Sequence, residues 1–204
     1  MRVGIFGGTF DPVHLGHLAV AEQCREQAAL DQVWFVPAPR PPHKLDRALT
    51  SFGQRVEMLA LALAGNPAFR IDEIEKDRSG PSYTADTLQE YQQRQPNLDL
   101  HLLIGSDCLP DLPYWYQPER IIERAVLVVV ARPGWPILPT EELHASLRLA
   151  PDAPLRMQVV QVPLIDLSST DLRHRVNSGR SVRYLVPRAV ECYIHDKQLY
   201  RTCG

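Results

Sequence analysis

The 204-residue sequence has no apolar run near the roughly 18 residues that a membrane-spanning helix needs; Met58 to Ala64 and Ala125 to Ala131 are its longest. Residues 1 to 10 lack the basic start, long apolar middle and small-residue cleavage site of a secretory signal, so the expected location is the cytoplasm. Cysteine is scarce. Cys24, Cys108, Cys192 and Cys203 are scattered without a Cys-x-x-Cys pair, which argues against a zinc knuckle or a disulfide framework and for reduced, structural thiols. An excess of charge of either sign is missing too. With 22 basic against 24 acidic residues the net charge is -2, so sequence-independent attraction to nucleic acid or an anionic membrane is not expected, and small-molecule partners are favoured. Hydrophobic residues at 45% and charged residues at 23% are ordinary globular usage and exclude disorder. Proline alone is abundant, with 18 residues gathered at 37 to 42, 110 to 118, 133 to 139 and 151 to 154, which mark loops.

Between these loops, strand and helix patterns alternate. Arg2 to Phe6 reads as a strand, Gly7-Gly8 breaks it, and Leu15 to Ala29 carries apolar residues at helical spacing. Strands are expected at Val33 to Val36, Phe69 to Ile74, Leu98 to Ile104, Val126 to Val130 and Met157 to Val162. Helices are expected after a Ser51 cap, at Tyr83 to Arg94, Glu119 to Arg124 and Glu141 to Leu149, and at Leu172 to Asn177 and Pro187 to Tyr193. The nearly all-apolar Val126 to Val130 suits a strand covered on both faces. The expectation is therefore an α/β fold, a Rossmann-like doubly wound parallel sheet, in one domain spanning 1–204 with a helical C-terminal cap from about residue 168. In such sheets ligands sit beyond the carboxyl ends of the strands, so the loops there carry the function.

The first of these loops reads Gly7-Gly8-Thr9-Phe10-Asp11-Pro12-Val13-His14-Leu15-Gly16-His17. Asp11 before Pro12 suits a helix cap with proline at the first helical position. His14 and His17 then lie three apart on one face. Two imidazoles, several free backbone N–H groups and the positive end of a helix dipole together form a receptor for phosphate oxygens. His-x-x-His could also chelate a metal, but no third ligand lies at a recognisable spacing. Neither a dinucleotide fingerprint nor a P-loop lysine is present. The second cluster is Ser168-Ser169-Thr170-Asp171-Leu172-Arg173. Ser168 with Asp171 reads as a capping box, which by itself says only that a helix starts. Three consecutive hydroxyls followed within a turn by a guanidinium also suit a second phosphate clamp.

Gly-Gly-Thr-Phe-Asp-Pro-x-His-x-Gly-His near one end and Ser-Ser-Thr-x-x-Arg near the other resemble the adenylyltransferase branch of the HxGH nucleotidyltransferases. Within that branch the chain is similar to the bacterial nicotinate mononucleotide adenylyltransferase family. The supporting stretches are Pro41 to Lys44, Ser82 to Leu88, Ile104 to Asp107, Tyr114 to Tyr116, Arg132 to Gly134 and Leu185 to Ile194. The departures are Leu167 where the family often has isoleucine, and Pro110, Pro113 and Pro118 crowding Trp115.

The resemblance implies transfer of the adenylyl group of ATP to nicotinate mononucleotide, with Mg²⁺ accompanying ATP and no metal site built from protein ligands alone. By the same resemblance His14, His17, Lys44 and Arg173 carry the chemistry. ATP would face Gly7, Gly8, Thr9, Phe10 and His17, with Gly105 and Asp107 at the ribose and Ser168, Ser169, Thr170 and Arg173 at the phosphates. The mononucleotide would meet His14, Lys44, Thr84, Trp115, Tyr116 and Arg132. Two alternatives stand beside this: another small-molecule adenylyltransferase of the same branch, such as the pantetheine-phosphate type, and a non-catalytic nucleotide-binding module. The oligomeric state is left open, a homo-oligomer included.

Overall fold

A computed structural model describes residues 1–42, 49–150 and 153–201. Six strands, β1 (Arg2–Gly8), β2 (Gln32–Pro37), β3 (Phe69–Ile71), β4 (Asp99–Gly105), β5 (Ala125–Val130) and β6 (Met157–Val160), form one sheet in the order β3-β2-β1-β4-β5-β6. Every neighbouring pair is parallel. Among the described residues seven α-helices accompany them: α1 (Leu15–Gln27), α2 (Phe52–Leu63), α3 (Thr84–Arg94), α4 (Pro118–Arg124), α5 (Thr140–Ser146), α6 (Ser169–Asn177) and α7 (Arg188–Asp196). The doubly wound α/β expectation holds.

Alternation along each strand sends side chains to opposite faces, and the two resulting cores divide the helices. On one face Val128 and Val130 of β5 join Ala21 and Cys24 of α1, Met58 and Leu59 of α2, Leu172 of α6, and Val190 and Ile194 of α7. On the other, Leu127 and Val129 join Ala85, Leu88 and Tyr91 of α3, Ile121 and Ile122 of α4, and Leu143 of α5. The C-terminal helices thus share a core with the helix that follows the first loop.

Several elements stop earlier than their apolar pattern does. β3 ends at Ile71, and the Asp72 carboxylate accepts from the Ile74 amide in the turn beyond it. β6 ends at Val160 because the Gln27 side chain captures both the amide and the carbonyl of Gln161. Left-handed backbone at Ala29 and Arg148 follows the ends of α1 and α5. In each case a local polar bond or turn overrides apolar periodicity.

The strand order reverses between β1 and β4, whose connections leave in opposite directions, so a crevice opens beyond their carboxyl ends. The segments after Gly8, Gly105 and Val130 all emerge there.

Leu127 is completely buried at the centre of β5. Leu127→Ala is expected to lower unfolding stability by about 2 to 5 kcal/mol, read from urea denaturation. A loss under about 1 kcal/mol would contradict this account of the core.

Candidate active site

The first loop folds differently from its sequence pattern. Asp11 does not cap α1. Its carboxylate is only 1% exposed and turns inward, Oδ2 accepting from the Thr50 amide at 3.2 Å and Oδ1 from the Tyr200 hydroxyl at 2.7 Å. Pro12 consequently lies outside the helix, and His14 becomes the cap. The two histidines form a reciprocal box: the His17 amide donates to His14 Nδ1 at 3.4 Å, and the His14 amide donates to His17 Nδ1 at 3.2 Å. Their rings stack with centroids 3.6 Å apart. Gly16 makes room, since a Cβ there would press to 3.0 Å from His14 Nδ1.

This box settles the tautomers. An Nδ1 that accepts cannot carry a proton, so each neutral ring holds its hydrogen on Nε2. The pair therefore presents two ring N–H donors. The amides contribute less than the sequence pattern suggests, because the Leu15 amide donates to Leu185 O and the His17 amide is committed to His14. His14 is 5% exposed, and burial first, then the nearby Arg132 charge, pushes its pKa down to about 4. It is neutral at physiological pH. Phe10, expected at the ATP site, keeps its ring 1% exposed against Phe6, Phe35 and His17, so only its backbone can face a ligand.

Across the crevice, Arg132 Nη1 pairs with Asp107 Oδ2 at 3.1 Å. A Cβ on Gly105 would collide with Asp107 Oδ1, which is why the chain has glycine there. That oxygen is buried and accepts no hydrogen bond among the described residues. Ser106, which the sequence reading passed over, is completely buried. Its hydroxyl accepts from the Arg132 amide and donates to Trp135 O, both at 3.0 Å, locking the loop after β5 onto the end of β4.

The Ser168 cluster opens a helix, as its capping pattern predicts, and turns its other polar groups toward the first loop. Ser168 Oγ accepts from the Asp171 amide at 3.0 Å and caps α6. Ser169 and Arg173 instead reach across 157 and 162 residues of sequence: Ser169 Oγ donates to Pro12 O at 2.9 Å, and Arg173 Nη1 donates to Asp11 O at 2.8 Å. Arg173 Nη2 also holds Thr170 Oγ1 at 3.2 Å.

Arg55 is the main residue that sequence reasoning missed. It is 1% exposed, and its guanidinium donates to Thr9 O at 2.8 Å, Ala38 O at 3.0 Å and Thr50 O at 3.1 Å. A signal existed, because Arg55 shares the helical face of Met58 and Leu59, where a cation without partners would not be buried.

Thr84 opens α3, and the Tyr83 ring before it stacks on Tyr116 at 4.5 Å. Trp115 is half-buried against the neighbouring core. The Ala38 amide donates to Gly8 O and the Ser82 amide to Arg40 O, which link this group to the first loop. Lys44 and Cys203 lie outside the described residues; Cys24, Cys108 and Cys192 are free thiols. Among the described residues no three His, Cys, Asp or Glu side chains are grouped to hold a metal ion.

The cytidylyltransferase-like family profile matches residues 5–175. A Thermomicrobium roseum protein named "Probable nicotinate-nucleotide adenylyltransferase" is 46% identical over 98% of this chain and 92% of its own length. The chain belongs to the cytidylyltransferase-like family, in its nicotinate-nucleotide adenylyltransferase branch. A Thermus thermophilus protein of the same name is 47% identical over 98% of this chain and all of its own. These matches run along both chains and favour this branch over the pantetheine-phosphate type. The fold is that of Plasmodium falciparum nicotinic acid mononucleotide adenylyltransferase complexed with NaAD, at a TM-score of 0.79, covering 98% of this chain and 97% of that one with 19% identity.

The depressed pKa of His14 makes stability depend on pH. The unfolded imidazole, near 6.5, binds a proton that the folded one resists until about pH 4, so this contribution is complete above pH 6.5 and is lost as pH falls toward 4. The loss amounts to at most about 3 kcal/mol. Burial of His101 acts with the same sign. Denaturant titrations at pH 7 and 4.5 are expected to show a larger loss for the wild type than for His14→Asn; equal losses would contradict the burial argument.

Proposed function

We propose that the crevice joins ATP to nicotinate mononucleotide, forming nicotinate adenine dinucleotide and releasing pyrophosphate. The observation that carries this reading is the reciprocal histidine box, which leaves an Nε2–H donor on each ring, with the Arg132 charge close enough to act on His14. An oxygen of the mononucleotide phosphate attacks the α-phosphorus of ATP. A P–O bond forms to that oxygen as the bond from the α-phosphorus to the bridging oxygen breaks, and the electron pair leaves on pyrophosphate. The nucleophile is already ionised at neutral pH, so no general base is needed. Catalysis then consists of holding two anions in line and neutralising charge that spreads over the phosphoryl oxygens.

Neutral imidazoles suit this task, because Nε2–H groups donate without the desolvation penalty of a buried cation. Arg173 supplies positive charge at the ATP phosphates with the Ser168, Ser169 and Thr170 hydroxyls beside it, and the backbone of Gly7, Gly8 and Thr9 lies alongside. Asp107, one of whose oxygens has no partner among the described residues, can accept from a ribose hydroxyl. Lys44 joins by resemblance alone. Mg²⁺ fits as part of the substrate: the donors facing the phosphates are N–H and O–H groups, which suit a metal carried on ATP oxygens. When bound it supplies charge neutralisation. Thr84, Tyr116 and Trp115 take the pyridine end. The chain acts as one domain in the cytoplasm, with α6 and α7 as its helical C-terminal part.

His17→Ala is expected to lower kcat by two or more orders of magnitude while ATP binding weakens much less, as when one preorganised donor is removed. Pyrophosphate release is the measurement, and a variant keeping more than about a third of wild-type turnover would overturn the assignment.

At the pyridine end, a nicotinate carboxylate gains charge-assisted bonds from N–H and O–H donors that an amide's NH₂ cannot match. Thr84→Val is expected to penalise nicotinate mononucleotide specifically. Trp115→Ala should weaken the nicotinate and nicotinamide forms by a similar factor, since stacking sees two similar rings. Specificity constants for both substrates decide it; a Trp115→Ala enzyme that loses its acid preference while Thr84→Val keeps it reverses these roles.

A further inference from the structure

Tyr200 lies 189 residues from the first loop, beyond α7 and outside every motif discussed above, yet its hydroxyl donates to Asp11 Oδ1 at 2.7 Å. The same hydroxyl is 3.8 Å from Met58 Sδ, and the ring packs on the core beneath α1 and α2. Tyr200 holds a left-handed backbone conformation, φ +62°, which a ring-bearing residue adopts only where its surroundings impose it. Leu199 just before it packs on the same core, and its amide donates to Ile194 O, so the segment is held on both sides of the turn.

Asp11 is a junction. Its two carboxylate oxygens take Tyr200 and the Thr50 amide, and its carbonyl takes Arg173 Nη1. Withdrawing the phenol hydroxyl would remove the donor that this buried carboxylate oxygen has among the described residues. The Thr50 amide still holds the other oxygen, so relief by turning the side chain alone is opposed and part of the adjustment falls on the loop backbone at Asp11, which moves the residue's carbonyl. That carbonyl is what aims the Arg173 guanidinium.

We infer that Tyr200 is a positioning residue for adenylyl transfer, acting through Asp11 on Arg173 and touching no substrate itself. Burial and the neighbouring Asp11 carboxylate both raise the phenol's pKa, so it stays a donor across the working pH range. The inference rests on the adenylyl-transfer reading given above.

The test is a double-mutant cycle on the full chain, with ATP, Mg²⁺ and nicotinate mononucleotide as substrates and pyrophosphate release as readout. Tyr200→Phe keeps the packed ring and removes only the hydroxyl. Its kcat is expected to fall about ten-fold, the scale of a small misplacement of a charged group, with KM for the mononucleotide within two-fold of wild type. Tyr193→Phe is the control. It gives up a similarly short phenol–carboxylate bond, 2.6 Å to Glu57 Oε2, but has no bond to the first loop, and is expected to keep wild-type kcat. In an Arg173→Ala background the added Tyr200→Phe step is expected to cost less than about three-fold, because the link it acts through is gone. Tyr200→Phe within two-fold of wild type, or a ten-fold loss repeated in full on Arg173→Ala, overturns the inference and leaves the adenylyl-transfer reading standing. A wild-type enzyme that releases no pyrophosphate from these substrates overturns both.

Discussion

A buried carboxylate and a buried guanidinium under the first loop would each cost several kcal/mol without partners. Asp11 and Arg55 avoid that cost by spending their hydrogen bonds on the backbone of the segments that form the crevice. Arg55 joins the carbonyls of Thr9, Ala38 and Thr50, and Asp11 joins the Thr50 amide and the Tyr200 hydroxyl. The attraction between the two charges adds to these bonds. Apolar packing alone could not do this, because contact between methyl groups is non-directional and would leave loop carbonyls free to rotate. The backbone of the first loop is held from beneath, which leaves its upper side to face ligands.

Above this support the histidine pair carries no full cation at His14. His14 is buried beside Arg132 and stays neutral, and the reciprocal box commits each Nδ1. Two donors of fixed tautomer and orientation result. The positive charge comes from residues at the rim, Arg132 and Arg173, each already tied to an oxygen of the protein. Charge from the rim and direction from the centre is an arrangement suited to a reaction between two anions, where attraction must not collapse the geometry.

The sheet order explains why such distant residues meet. With β1 and β4 adjacent at the reversal, the loops after residues 8 and 105 lie side by side, and the loop after β5 follows. α6 and α7 then return to the face that carries α1 and α2. Residues 11, 55, 173 and 200 become neighbours although most of the chain separates them.

Much of this was legible in the sequence, for identifiable reasons. Strand and helix alternation follows from apolar periodicity, and the two motif clusters stand out because glycines, imidazoles and consecutive hydroxyls after strands have few structural uses in common. The helix boundary at Asp11-Pro12 misled because a cap and a buried hydrogen-bonding carboxylate ask for the same residue type; only the presence of Thr50 and Tyr200 decides between them. Arg55 and Ser106 were legible only in part: an arginine on an apolar helix face signals a buried partner without saying which. Local pattern determined the parallel α/β architecture and singled out the candidate loops, since propensity and periodicity act within a few residues. The tautomers of His14 and His17, the inward turn of Asp11 and the reach of Arg173 and Tyr200 were decided by tertiary structure, because each depends on a donor or acceptor brought close in space or set by a local backbone turn.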